Sequence, residues 1–494
     1  MTETLPLIPY PSGAVAMLSG SFSPPSQLSV VADPYFDTSQ VLFYVREYLG
    51  MEVQEGEQSS NLIIAKAVDA MDEQAYRLEV FDQGCKIEAK SLQGVFYAVQ
   101  TLRQLFLAYY PSAIPCCRIE DKPTLRWRAF MLDTARSFCP VGEVKRIIDI
   151  IASFKMNVLH LHLSDDQGWR IASDNYPKLG EKESGRYSKL EIRDLVAYAQ
   201  NRHVMIVPEI DMPGHFTAAL APYPNLSCTG GPFTIPKGEG IFSDILCAGK
   251  DEALSFVKHL IEETASLFPA PYIHLGGDEI PLDRWVDCPD CQKRRKALGL
   301  SDEKALLRWF CNEMTSYARS LGKQVILYND YVDQAYDETI ITQVWNPLLE
   351  MTKSAHQIIM SDYFHTYLDM DHTLLPLPVV YRYGKQLQTQ KYSSLLGAEF
   401  MLWTEHIATK EQRDLHLLPR LVAGAESLWT EHEQHDYHRF VNTFAKYGSA
   451  YLPSDAHITP KKLWNTFFIV SALARYKRRR RVKRNSRKAG IMLS

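Results

Sequence analysis

Between residue 126 and about residue 430 the sequence alternates short apolar runs with longer amphipathic stretches, and this alternation restricts the fold more than any other feature. Eight runs have strand character: FMLDTAR (130–136), VLHLHLSDD (158–166), MIVPEID (205–211), YIHLGGDE (272–279), VILYND (325–330), TQVW (342–345), QIIMSD (357–362) and LGAEFMLW (396–403). Most are separated by segments of helical period. In GEVKRIIDIIASFK, Val144, Ile147, Ile148, Ile151 and Phe154 fall on one stripe, and KLEIRDLVAYAQNRH, EALSFVKHLIEETASLF and EKALLRWFCNEMTSYARSLG behave alike. Parallel strands need such crossovers, and eight of them within about 300 residues predict a (β/α)8 barrel.

A chain of 494 residues exceeds one ordinary core. Residues 1–122 read as a small α+β domain. There YRLEV (76–80) and CKIEA (85–89) alternate as strands, and Val95, Val99, Leu102 and Phe106 then recur at helical spacing. Residues 121–124 make a plausible linker, 123–450 the barrel, and 451–494 a C-terminal helix and basic tail. The fold class is therefore α/β, a barrel preceded by a small α+β domain.

Hydrophobic residues at 46% and charged residues at 23% fit a globular protein. No apolar run reaches the roughly 18 residues that span a bilayer. The first basic residue is Arg46, so the beginning lacks the charged region of a secretory signal, and a cytoplasmic location is expected. Nine cysteines, an odd number spread over a long chain, argue against a disulfide framework. Cys288-Pro-Asp-Cys291 has metal-ligand spacing, but no second CxxC or His pair follows, so these thiols read as structural or incidental. Cys228 and Cys247 flank a Gly/Pro-rich loop and would bridge only under oxidising conditions.

The segment 475–488 holds ten of the 54 basic residues and no acid, so the rest of the chain, with all 58 acidic residues, is acidic. That body is a poor nucleic-acid surface. The tail suits an anionic surface, RNA or lipid, with the apolar LWNTFFIVSAL before it; a solvated end is the simpler reading.

Barrel chemistry sits at the carboxyl ends of the strands, and every run ends in, or is soon followed by, residues suited to it. In order these are Arg136; Asp165 and Asp166; His215; Asp278 and Glu279; Asn329 and Asp330; Trp345; Tyr367 with Asp369; and Trp403 with Glu405. Together they predict a concave site rich in carboxylates and aromatics, which suits a sugar. Carboxylates and Arg bond hydroxyls, and aromatic faces meet the C–H faces of a pyranose. Crowded carboxylates also push pKa values apart, keeping one acid protonated for glycosidic cleavage. Asp278 and Glu279 are adjacent, so they serve one pocket only if the strand ends before them, as Gly276 and Gly277 permit.

LDTAR, HLHLSDDQGWR, PEIDMPGH, HLGGDE, YLD and LWTE, in this order, resemble the barrel of family 20 glycoside hydrolases, the β-N-acetylhexosaminidases. QAYRLEV (74–80) and GVFYAVQTLRQLF (94–106) resemble that family's N-terminal domain, and the likeness covers roughly residues 60 to 430. It implies an exo-acting, retaining enzyme that removes terminal β-linked GlcNAc or GalNAc without metal or cofactor. The substrate's 2-acetamido oxygen would attack C1 to give an oxazolinium intermediate. By the same matching, Asp278 orients the acetamido group, Glu279 is the general acid and base, and Tyr367 bonds the acetamido carbonyl. Asp165 and His215 would relay to Glu279. Arg136, Asp369 and Glu405 would hold the sugar hydroxyls, with Trp345 and Trp403 as walls. Where the family shows Trp before an acid pair, this chain has Tyr328-Asn329-Asp330, so Tyr328 is expected to wall a pocket of altered size.

Other readings stand beside this one. Trp345 and Trp403 could be barrel core. His160 and His162, on one face of one strand, fit hydrogen-bonded core positions better than the metal-binding HxH of a metallohydrolase. A non-catalytic glycan binder would have no need of a carboxylic acid at the leaving oxygen. A family member releasing a disaccharide unit would need more open loops. The natural glycan partner and a homodimer are left open by the sequence.

Overall fold

A computed structural model describes residues 4–56, 60–181, 185–349, 356–390 and 394–464, with 477 and 480. Trp127–Asp133, Val158–His162, Met205–Glu209, Tyr272–His274, Gln324–Tyr328, Ile341–Val344, Ile358–Met360 and Leu395–Leu402 form a closed barrel. All neighbours are parallel, and the eighth strand closes on the first. All eight strands end before the runs in the sequence do. Their last polar residues have left the ladder to form the loops at the barrel mouth, as at Tyr272–His274, which ends before Gly276.

Register explains the interior. Asp133 lies beside His162 and His162 beside Glu209, while Ala129 lies beside Val158. Residues of one parity therefore point into the barrel and stack in layers. The lowest layer is apolar, with Trp127, Ala129, Val158, Val207, Ile326, Ile341 and Ile359 in one cluster. Above it the same faces carry His160, Glu209, His274, Gln343 and Glu399, all buried. The barrel thus changes from hydrocarbon to a hydrogen-bonded polar stack toward the carboxyl ends of its strands.

The N-terminal part is a seven-stranded mixed sheet, Val15–Phe22, Ile114–Asp121, Tyr76–Phe81, Gly84–Ala89, Leu62–Lys66, Gln27–Ala32 and Glu52–Glu55 in spatial order. Helix Leu92–Tyr109 packs on it, capped by the Ser91 hydroxyl and with the expected stripe of Val95, Val99, Leu102 and Phe106 buried. A buried polar knot joins this part to the barrel. Lys155 Nζ is 2.9 Å from Asp121 Oδ2, Tyr76 donates its hydroxyl to the same oxygen (2.6 Å), and Trp429 Nε1 donates to Asp121 Oδ1 (2.8 Å). Lys155 precedes the second strand, so this contact grips the barrel's amino end and leaves the mouth clear.

Helix Tyr437–Tyr451 follows the barrel, and the chain then folds back, with the Phe444 and Trp464 rings 5.6 Å apart. Of the expected C-terminal helix and basic tail, everything beyond 464 except residues 477 and 480 lies outside the described residues. Among the described residues no helix is long and apolar enough to cross a membrane.

Candidate active site

The acid pair follows the fourth strand. Gly276 (φ 64°) and Gly277 (φ 90°) turn the chain through conformations that side chains disfavour. A Cβ on Gly276 would lie 1.7 Å from Asp211 Oδ1, so no other residue fits. The Gly277 N–H donates to that same oxygen at 3.0 Å. With the ladder ended, Asp278 and Glu279 no longer alternate between faces. Glu279 itself has φ 47°, one of four non-glycine residues with positive φ among those described; His215 (φ 50°) is another. Such backbones cost on the order of 1–2 kcal/mol each and persist where the surroundings enforce them.

Behind Glu279 runs a chain of charges. His215 Nε2 is 4.0 Å from Glu279 Oε2, and His215 Nδ1 is 3.2 Å from Asp165 Oδ1. Asp165 Oδ2 receives Arg136 Nη2 at 2.5 Å and His162 Nε2 at 2.9 Å. His162 Nδ1 in turn meets Glu209 Oε2 at 2.5 Å, and His160 sits between Glu209 (3.0 Å) and Glu399 (2.9 Å). The two histidines of the second strand are therefore engaged with carboxylates inside the barrel, as the core reading expects.

These contacts set the proton affinities. Burial alone would neutralise His215, yet Asp165 and Asp166 overcome it and hold the imidazole charged, far above its ordinary pKa. Burial likewise opposes the charge on Asp165, but Arg136 and His215 outweigh it and keep the carboxylate ionised. Glu279 goes the other way: burial first, then the charge of Asp278, raises its pKa, while His215 and Arg136 pull it down. Its side chain keeps 39% exposure, so it faces the mouth. A protonated carboxyl open to solvent beside an imidazolium can give a proton to an incoming oxygen.

Arg136 also lies 3.9 Å from Glu405 Oε1, with its guanidinium 4.9 Å from the Trp403 ring. Trp403 stands 6.3 Å from Tyr367, centroid to centroid. Tyr367 bridges to Met401 of the eighth strand, and burial followed by Asp278 and Asp369 keeps its hydroxyl protonated. Asp369 follows on the same loop, half-buried. Trp345 donates its indole N–H to Asp330 Oδ2 at 2.5 Å. Trp345 and Trp403, each just past the carboxyl end of its strand, are only partly buried and pack against the core below.

One placement differs from expectation. Tyr328 is only 1% exposed; its ring lies 4.4 Å from His274 and its hydroxyl 3.4 Å from Glu209 Oε2. It therefore belongs to the polar stack beneath the acid pair and is not an open wall. The inward parity of the fifth strand and the Glu209 acceptor draw the phenol down.

Several residues of this site escape a reading of local pattern. Asp133 accepts from the Ala135 and Arg136 backbone N–H groups and from Thr404 N–H (3.0 Å), tying the first strand end to the eighth. Asp166, by contrast, is expected from its place after the second strand; it accepts from Thr217 N–H (3.0 Å) and its hydroxyl, which fixes the turn after His215. Asp211 is buried against Asp278, and burial together with that charge raises its pKa far above the usual carboxylate range. Arg420 donates to the carbonyls of Leu368 (2.6 Å), Met370 (2.8 Å) and Leu375 (3.1 Å), bracing the loop of Tyr367 and Asp369. Position at strand ends could have flagged Asp133 and Asp211; nothing local marks Arg420.

The family model for the glycosyl hydrolase family 20 catalytic domain matches residues 125–432, and the one for domain 2 of that family matches residues 4–122. The chain belongs to glycosyl hydrolase family 20. It is accordingly a glycoside hydrolase. This family 20 chain is 36% identical over 432 residues to a β-hexosaminidase of Porphyromonas gingivalis, a match covering 79% of the chain and 56% of that relative. It is 30% identical over 450 residues to a β-hexosaminidase of Akkermansia muciniphila, covering 83% and 88%. Among solved structures, a β-N-acetylhexosaminidase from Bacteroides fragilis superposes with a TM-score of 0.83 at 28% identity, covering 94% of this chain and 99% of that one. The exo-β-N-acetylglucosaminidase of Vibrio harveyi in complex with N-acetylglucosamine gives 0.80 at 27% identity, covering 90% and 76%.

Proposed function

We propose that this family 20 hydrolase is an exo-acting, retaining β-N-acetylhexosaminidase that cleaves terminal β-linked N-acetylhexosamine by substrate-assisted catalysis. The observation that carries the reading is the acid pair: Glu279 raised in pKa and open to the mouth, with Asp278 beside it on the same glycine turn. Asp278 would accept the acetamido N–H and Tyr367 would donate to the acetamido oxygen, aligning that oxygen on C1. Attack forms the C1–O bond of an oxazolinium as the glycosidic C–O bond breaks, and Glu279 delivers its proton to the departing oxygen. The resulting carboxylate then takes a proton from the water that reopens the ring, and two inversions at C1 give net retention. Arg136, Asp369 and Glu405 supply charged groups for the hydroxyls of one terminal sugar, which favours exo cleavage.

The test compares an aryl β-N-acetylglucosaminide with the matching β-glucoside and follows the anomer first released by NMR. Fast release of the β-anomer from the first and little hydrolysis of the second are expected. Equal rates on both would overturn the reading.

The pH dependence supplies a second check. Glycoside cleavage needs protonated Glu279, so kcat/KM falls as pH rises through its pKa. The positive charge of His215 holds that pKa down, so His215→Asn should move the basic limb to higher pH while lowering the plateau. An unmoved limb would disconnect His215 from the acid.

A further inference from the structure

Four cysteines that are scattered in sequence meet in the fold. Cys228 and Cys247 bound the loop after the third strand, Cys288 precedes helix Pro289–Ala297 after the fourth, and Cys291 lies in its first turn. All are reduced thiols, three buried and Cys228 partly so. The four Sγ atoms lie within 4.8 Å of one another. Measured pairs are 3.8 Å for Cys228–Cys291, 3.7 Å for Cys247–Cys288 and 3.5 Å for Cys247–Cys291.

We propose that Cys228, Cys247, Cys288 and Cys291 bind one zinc ion in a tetrathiolate site that ties the third-strand loop to the fourth-strand loop. The distances carry the assignment. With Zn–S near 2.3 Å, a tetrahedron has S···S edges of about 3.8 Å, which the three measured pairs approach. A disulfide needs about 2.05 Å and a chosen partner, whereas Cys247 is nearly equidistant from Cys288 and Cys291. A polynuclear iron–sulfur cluster would hold its thiolates much farther apart. Four soft thiolates at tetrahedral spacing match the closed four-cysteine set of structural zinc sites. Binding deprotonates the thiols and releases their protons to solvent, leaving a net charge of −2 on the ligated ion.

The surroundings suit that charge. Lys250 Nζ donates to the Ser227 carbonyl (2.7 Å) next to Cys228, and Arg294 Nη2 donates to the Gly249 carbonyl (3.1 Å) two residues past Cys247. Cys288 and Cys291 sit at a helix N-terminus, where the amide dipoles favour thiolate. Gly249 passes so close to the start of that helix that a Cβ would be 2.1 Å from the Asp290 carbonyl carbon. The Trp285 indole N–H donates to Leu246 O across the same junction (2.9 Å). The two bridged loops also carry His215 and the Asp278–Glu279 pair. Between Cys228 and Cys247 the loop reaches the rim, where Gly238 O accepts from Gln167 (3.0 Å), the residue bonded to Arg136. An ion here would pin both ends of a segment that borders the site while lying outside the reaction.

Metal analysis of the full chain, purified reduced and dialysed against a weak chelator, should find about one zinc per chain. Cobalt exchange should give the intense visible bands of a tetrahedral tetrathiolate. The pair Cys288→Ser, Cys291→Ser should lose the zinc and lower Tm. If those variants fail to fold, the wild-type zinc content and cobalt spectrum decide alone. A metal-free chain whose four thiols titrate freely, two disulfides in the mass spectrum, or zinc retained by the folded double variant would each overturn the proposal.

Discussion

Glu279→Gln should lower kcat/KM on a β-linked chito-oligosaccharide by about 10² to 10⁴-fold, the range typical for loss of a positioned general acid. The amide keeps the size of the side chain and its place beside His215, so the fold should hold and Tm should barely move. A sugar alkoxide is a poor leaving group and depends on the proton. A dinitrophenyl leaving group does not, so the variant should lose far less on dinitrophenyl β-N-acetylglucosaminide. The basic limb of the pH profile should also disappear, because the group raised by burial and by Asp278 is no longer there. Equal losses on both substrates would mean that Glu279 acts by something other than proton donation.

Asp278→Asn should reduce kcat by about 10² to 10³-fold, comparable to removing one preorganised electrostatic contact to a developing charge. Here the developing charge is positive, spread over the oxazolinium nitrogen, so the carboxylate stabilises what the amide cannot. Asp278 Oδ1 is buried and has no hydrogen-bond partner among the described residues, leaving it free for a substrate N–H. The loss should persist on activated leaving groups, in contrast to Glu279→Gln. A thiazoline mimic of the intermediate should bind the variant more weakly in proportion to the lost kcat. Undiminished thiazoline affinity would remove Asp278 from the role proposed for it.

The contrast between the two carboxamides rests on a loop whose sequence already reads as unusual. Gly276-Gly277 before an acid pair announces that the strand has ended, and the φ values of 64° and 90° show how. The strand runs and the helical stripes were equally legible, because burial on one face leaves a period of 2 or 3.6 in the residues themselves. Tyr328 lies beneath the acid pair and not in an open wall, because side-chain direction at a strand end depends on register and on the acceptor waiting inside, here Glu209. Nothing local marks Arg420, because the three loop carbonyls it braces lie 45 to 52 residues away, and its fourth partner, the His416 carbonyl four residues back, carries no functional signal.

The cysteines make the same distinction. Cys288-Pro-Asp-Cys291 could be seen as one half of a metal site, but its other half comes from two positions 41 or more residues upstream that share no motif. The sequence by itself determined the barrel, its order of strands and the residues available at their ends, since these follow from local periodicity and short motifs. Only the tertiary structure decided which charges face each other and which thiols converge. Electrostatic coupling and metal ligation depend on distances of a few ångströms between segments far apart in the chain, and on the burial that strengthens them.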